Sequence, residues 1–226
     1  MGFAVATYTK LSRIIAVLAE LMLWLMLLIG SPSAIATPTA LNVIPTADVL
    51  NRGSGNLAVE FAGGPTSSGY TFFNELQTQV GVGHNIEVGY DQALPPSGFS
   101  FWNAKLRLCG ETQRRPAVAV GLWSTTAGIR EPLYLTAYKT DADARFHAGV
   151  IEDLGATRLM LGCDVWHYRA LSFQADYISG AASYSSFGLV YNWSNGAYLN
   201  AAQLVGNSVQ APNMYLVIIG WTGQLF

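Results

Sequence analysis

The chain has 226 residues, twelve Lys and Arg against fourteen Asp and Glu, and a formal net charge of −2, so it lacks the basic surplus that a nucleic-acid backbone requires. Charged residues supply only 12% and hydrophobic residues 51%, with a mean hydropathy of +0.29, against about 25% charged in an ordinary soluble domain. That balance leaves a helical membrane protein or a β-barrel with a lipid-facing exterior, and the length suits one domain or at most two.

Residues 1–36 read as a secretory signal helix. Lys10 and Arg13 supply a positive start, an apolar run extends from Ile14 to Gly30, and Ser31-Pro32-Ser33 breaks the helix. Ala34-Ile35-Ala36 then offers the small-x-small pattern that signal peptidase accepts, placing cleavage after Ala36. Glu20 is out of place in lipid, but the run from Leu21 to Gly30 still has the length of a signal core; an uncleaved anchor is the alternative. No other segment holds the ~18 consecutive apolar residues of a spanning helix, which leaves the barrel.

Residues 37–55 form either a periplasmic lead-in or a first strand, and residues 56–226 form the barrel. From Thr37 onward the pattern has period two. Leu57-Ala58-Val59-Glu60-Phe61, Ile86-Glu87-Val88-Gly89-Tyr90-Asp91 and Trp102-Asn103-Ala104-Lys105-Leu106-Arg107-Leu108 each carry one apolar and one polar or small face. Arg145-Phe146-His147, Arg158-Leu159-Met160-Leu161-Gly162-Cys163-Asp164, Leu171 to Tyr177 and Phe187 to Trp193 repeat the scheme. Turn chemistry at Gly83-His84-Asn85, Pro95-Pro96-Ser97-Gly98, Asp141-Ala142-Asp143 and Ser194-Asn195-Gly196 punctuates it. The strands fall near 56–62, 72–82, 86–92, 100–110, 116–125, 131–140, 144–152, 158–166, 170–178, 186–194, 197–205 and 213–222.

The expected fold is therefore all-β: an antiparallel up-and-down transmembrane β-barrel of twelve strands, ten being the alternative, preceded by the signal helix. A secreted β-sandwich binding module would show the same alternation with its apolar face inward. Gly and Ala beside isolated charges on the polar face suit a narrow lumen better, and Tyr and Trp gather near strand ends as in interfacial girdles. Phe226 closes the chain as barrels commonly close, although Met214 to Trp221 is apolar on both faces. Connections are short, leaving no room for a plug domain. Strand phase points Cys109 inward and Cys163 outward, which forbids a disulfide, and with no CxxC or Cys/His cluster no metal site is expected.

Asn42-Val43-Ile44-Pro45-Thr46-Ala47-Asp48-Val49-Leu50 resembles the start of a group of bacterial outer-membrane barrels. Asn85 to Asp91, Asn103 to Leu108, Pro116 to Gly121, Tyr138-Lys139 and Arg145 to Gly149 continue the likeness. Together they are similar to the YjbH-type exopolysaccharide-associated barrels and their small relatives. The resemblance implies an outer-membrane barrel linked to export of surface polysaccharide, and it implies no catalytic residues.

The titratable residues expected to line the lumen are Glu60, Glu87, Asp91, Lys105, Arg107, Arg145, His147, Arg158, Asp164 and Asp176. They read first as an ion-pair network, because unpaired buried charge is costly, and second as a lining whose Arg and Lys guide a small anionic solute or polysaccharide. A barrel-wall hydrolase of lipase or protease type is the third reading. His84 sits in a turn and His167 at a strand end, so His147 alone is placed for it, without a GxSxG motif. The expectation is a non-enzymatic outer-membrane channel or envelope scaffold, needing no cofactor, with outer-membrane lipid as its surroundings.

Overall fold

The computed structural model describes residues 40–66, 69–94, 100–125, 133–153, 155–168, 170–209 and 211–226. The segment 1–36 with its cleavage site and the turn at 95–98 lie outside them. Twelve strands follow in order: β1 (Ser54–Thr66), β2 (Gly69–Gly81), β3 (Ile86–Ala93), β4 (Ser100–Cys109), β5 (Ala117–Thr125) and β6 (Leu133–Asp141), then β7 (Ala144–Asp153), β8 (Ala156–Tyr168), β9 (Leu171–Ile178), β10 (Tyr184–Asn192), β11 (Ala197–Gly206) and β12 (Met214–Gln224). Each pairs antiparallel with its sequence neighbours, and β1 closes on β12 with Val59 opposite Ile219. One sheet thus forms a closed twelve-stranded barrel with no free edge. That closure rules out both the ten-strand count and the sandwich of two facing sheets.

Successive side chains of a strand point to opposite faces, so alternation in sequence becomes an apolar exterior and a polar interior. Leu57 and Phe61 on β1, Trp102 and Leu106 on β4, Phe146 on β7, Leu161 on β8 and Phe187 on β10 are exposed. Their alternates Ala58, Lys105, His147, Asp164 and Ser186 are buried inside the ring. The large apolar side chains on this outer face face away from the barrel rather than into it.

Two local departures have physical causes. A register shift in β4 places Arg107 opposite Ala119 but Cys109 opposite Val118. This bulge reverses the phase, so Cys109 shares the outer face with Val118 instead of pointing inward as alternation suggested; both cysteines are free. The β6–β7 connection turns so tightly that Ala142 adopts a left-handed conformation, φ 50°, which costs an L-residue about 1–2 kcal/mol.

The larger surprise concerns residues 40–50. They form no strand of the wall. Leu41, Asn42, Ile44, Thr46, Ala47, Val49 and Leu50 are all buried inside the ring, so a short stretch of chain occupies part of the lumen. This also explains β12, apolar on both faces. Its inward Leu216 and Ile218 join Ala58, Tyr198 and Leu204 in an apolar patch of the lumen against which Val43 packs.

Candidate functional site: the lumen and its internal segment

The segment reaches inward from Asn51 and Arg52, which are exposed at one mouth. Leu50 N donates to Glu87 Oε2 at 2.9 Å, near the start of β3. Deeper in, the Asp48 carbonyl accepts from Lys105 Nζ at 2.9 Å, and its carboxylate accepts from Arg145 Nη1 at 2.8 Å. At the far end the chain doubles back, with Leu41 N bonded to Ile44 O at 2.9 Å and an antiparallel bridge from Ala40 to Pro45. Asp176 on β9 takes the turn's exposed amides, Val43 N at 2.8 Å and Ile44 N at 3.4 Å, while the Ser186 hydroxyl donates to its other oxygen. Asn42 donates to Ser186 Oγ at 2.9 Å and accepts from Asn200 Nδ2 at 3.1 Å. Side chains of the wall therefore satisfy these polar groups of the segment, as burial demands.

Packing complements these bonds. Ile44 and Leu41 join Tyr134, Ile151, Met160 and Ile178 in one buried cluster, each worth about 1.5–3 kcal/mol of burial. The wall is hollowed to receive them: a Cβ added at Gly162 would lie 2.5 Å from Leu41 Cδ1 and 2.9 Å from Ile44 Cδ1. Ala117 and Ala119, both fully buried, leave room for Ala47.

A four-residue charge network fastens the segment. Arg145 Nε and Nη2 both reach Asp164 Oδ2, at 3.0 and 2.6 Å, while Nη1 holds Asp48. His147 Nε2 lies 2.9 Å from Asp164 Oδ1; a carboxylate only accepts, so this nitrogen carries the proton. His147 is 3% exposed, and among the described residues no serine, threonine or cysteine hydrogen-bonds it. Lys105 approaches Glu87 at 3.9 Å.

Comparison with protein families finds no family model that matches the chain. Comparison with curated proteins finds no significant match either.

The segment does not fill the ring. Beside it remains a cavity of about 250 Å³ bordered by Asn42 and Val43 of the segment and by Glu60, Glu75, Gln77 and Asp91 of the wall. Gln77 Nε2 bridges Glu60 Oε2 at 2.8 Å and Glu75 Oε1 at 3.3 Å, and Asn103 Nδ2 donates to Asp91 Oδ2 at 2.8 Å. Carboxylates and amides predominate around this space, with Lys105 also in its lining, whereas Arg145 is turned to the segment.

Of the ten residues singled out in the sequence, Glu87, Lys105, Arg145, His147, Asp164 and Asp176 converge on the segment, and Glu60 and Asp91 face the cavity. Arg107 sits at the rim, its Nη2 3.1 Å from Asn85 Oδ1, and Arg158 Nη1 bonds Ser183 Oγ at 2.5 Å near the opposite end of the strands. His84 is exposed in its turn, and the His167 side chain lies outside those described. Sequence reasoning missed Asn42, Asp48, Glu75, Ser186 and Asn200. Asp48 lay within the Asn42–Leu50 stretch that carries the resemblance but has no strand phase to mark it. Glu75 was hidden because both phases of β2 carry polar residues. Among the described residues no group of His, Cys, Asp and Glu is arranged to hold a metal ion.

Proposed function

We propose that the protein is an exported outer-membrane barrel, non-enzymatic, serving as a small channel or envelope scaffold. The observation that carries this reading is the inversion of the fold: a closed wall with Leu57, Phe61, Trp102, Leu135, Phe146, Leu161, Phe173, Leu189 and Ile219 exposed around its outside. A soluble protein would place such residues inside; a hydrocarbon surround makes the same placement favourable. Closure supports it as well, since every wall amide in lipid must find its partner within the protein. Strands of 8–13 residues suit a tilted crossing. The bond between His147 and Asp164, closed off from solvent and engaged with Arg145, supports a structural role for the histidine. The finer assignment, a link to surface-polysaccharide export, rests on the resemblance of the Asn42–Leu50 and Asn85–Asp91 stretches to the YjbH-type barrels.

Gel mobility of outer-membrane extracts with and without boiling tests the reading. A heat-dependent shift in the outer-membrane fraction is expected. A mature protein soluble without detergent, showing no shift, would overturn it.

A further inference from the structure

We infer that the lumen is a peptide-binding site occupied in cis, and that residues 40–50 act as a gate whose withdrawal opens a path through the barrel. The inference rests on the membrane-barrel reading and adds to it what closes the pore. Three observations carry it.

The wall is complete without the segment. All twelve strands hydrogen-bond to one another, and the segment's one β-bridge is internal, Ala40 to Pro45. Its withdrawal breaks no wall ladder, unlike removal of a strand. The groups that hold it are wall side chains, Glu87, Lys105, Arg145, Asp176 and Ser186, all of which water can solvate.

The site is shaped for this peptide. Asp176 reads two consecutive amides of a turn, Asn200 and Ser186 read Asn42, and Arg145 reads Asp48 six residues further on. Gly162 leaves the hollow for Leu41 and Ile44. A filler of lumen space needs volume alone; this arrangement discriminates among sequences.

Space is already present beside the segment. The cavity of about 250 Å³ lies directly against Asn42 and Val43, so displacing the turn joins it to the space the segment vacates. The exposed Asn51 and Arg52 lie at the mouth, where the segment runs into β1. Burial of Leu41, Ile44, Val49 and Leu50 keeps the resting state closed.

The test is conductance of the full-length protein in planar bilayers, with heat-dependent gel mobility measured on each preparation. One variant, Asp48→Asn, weakens the fastening to Arg145. Another, Ala47→Cys/Ala119→Cys made with Cys109→Ser and Cys163→Ser, ties the segment to β5, where Ala47 and Ala119 share one cluster. Rare openings are expected for the unmodified protein and a rise of roughly tenfold or more for Asp48→Asn, as losing one partner of a buried pair implies. Oxidation of the double-cysteine variant should abolish openings and reduction should restore them. Because both alanines are fully buried, heat-dependent mobility of the reduced and oxidised forms checks that this variant folds before its openings are counted. A heat shift with openings indifferent to both variants, or with no openings in any, overturns the gate and leaves the barrel standing. No heat shift in any preparation overturns the membrane reading and the gate with it.

Discussion

Arg145 and Asp48, 97 residues apart in sequence, meet inside the ring at 2.8 Å, and the same guanidinium grips Asp164 of the wall through Nε and Nη2. One side chain thus ties the internal segment to two strands. Arg145→Ala would leave the buried Asp164 with His147 alone and the partly buried Asp48 without its cation, a loss of about 3 kcal/mol in unfolding free energy. Arg145→Lys should recover less than half of this, because a point charge cannot span both aspartates. Urea unfolding of detergent-solubilised protein measures both.

Asp176 fastens the turn. Asp176→Ala strips Val43 N and Ile44 N of their acceptor and should destabilise the segment by roughly 2–3 kcal/mol. Because the wall closes without the segment, the damage is local. Limited proteolysis should cut between residues 40 and 52 in the variant while the barrel band persists; equal resistance in both proteins would contradict it.

Gly162 gauges the fit. An added methyl would lie 2.5 and 2.9 Å from the far ends of Leu41 and Ile44, so these flexible side chains must move by roughly an ångström to regain ordinary contact distance. Gly162→Ala should therefore cost about 1–3 kcal/mol, and Gly162→Leu should displace the segment outright. Protection of the Asn42–Leu50 amides from hydrogen exchange should fall in that order.

Ala142 occupies a left-handed conformation, φ 50°. Glycine adopts it without the Cβ clash, so Ala142→Gly should stabilise the barrel by about 1 kcal/mol. A lower thermal midpoint would contradict this.

Glu111, in the loop between β4 and β5, responds to pH. Partial desolvation pushes its carboxyl upward, but bonds from Thr140 N and Oγ1, both 2.7 Å, and from Lys139 outweigh this and hold it below its ordinary value. A depressed folded value means its stabilising contribution is complete above the unfolded carboxylate value, about 4, and disappears as pH falls through the folded one. The stability difference between the native protein and Glu111→Gln should be present near neutral pH and vanish in acid.

The wall was legible because alternation is a local signal. Leu57 to Phe61 or Arg145 to His147 declares its two faces without knowledge of the neighbours, and short turns fix which strands meet. Periodicity failed where local geometry overrode it, as at Cys109 beyond the β4 bulge. It also misled at Asn42 to Leu50, read as part of the alternating pattern, since a segment buried on all sides by a surrounding wall keeps no two-sided period. Its partners Asp176, Arg145 and Lys105 were recognisable as inward charges. What they bind was not, because the pairing of Asp48 with Arg145 exists only once the ring has closed.

Quenching of tryptophan emission by lipids brominated along their acyl chains tests most directly that this inverted barrel lies in a bilayer. Trp102 projects from the outer face, 60% exposed, while Trp123 packs inside against the cluster of Ile44 and Tyr134. In reconstituted variants that each keep one of the two as the sole tryptophan, strong quenching of Trp102 and little of Trp123 is expected. Equal quenching of both, or none of Trp102, would contradict the account.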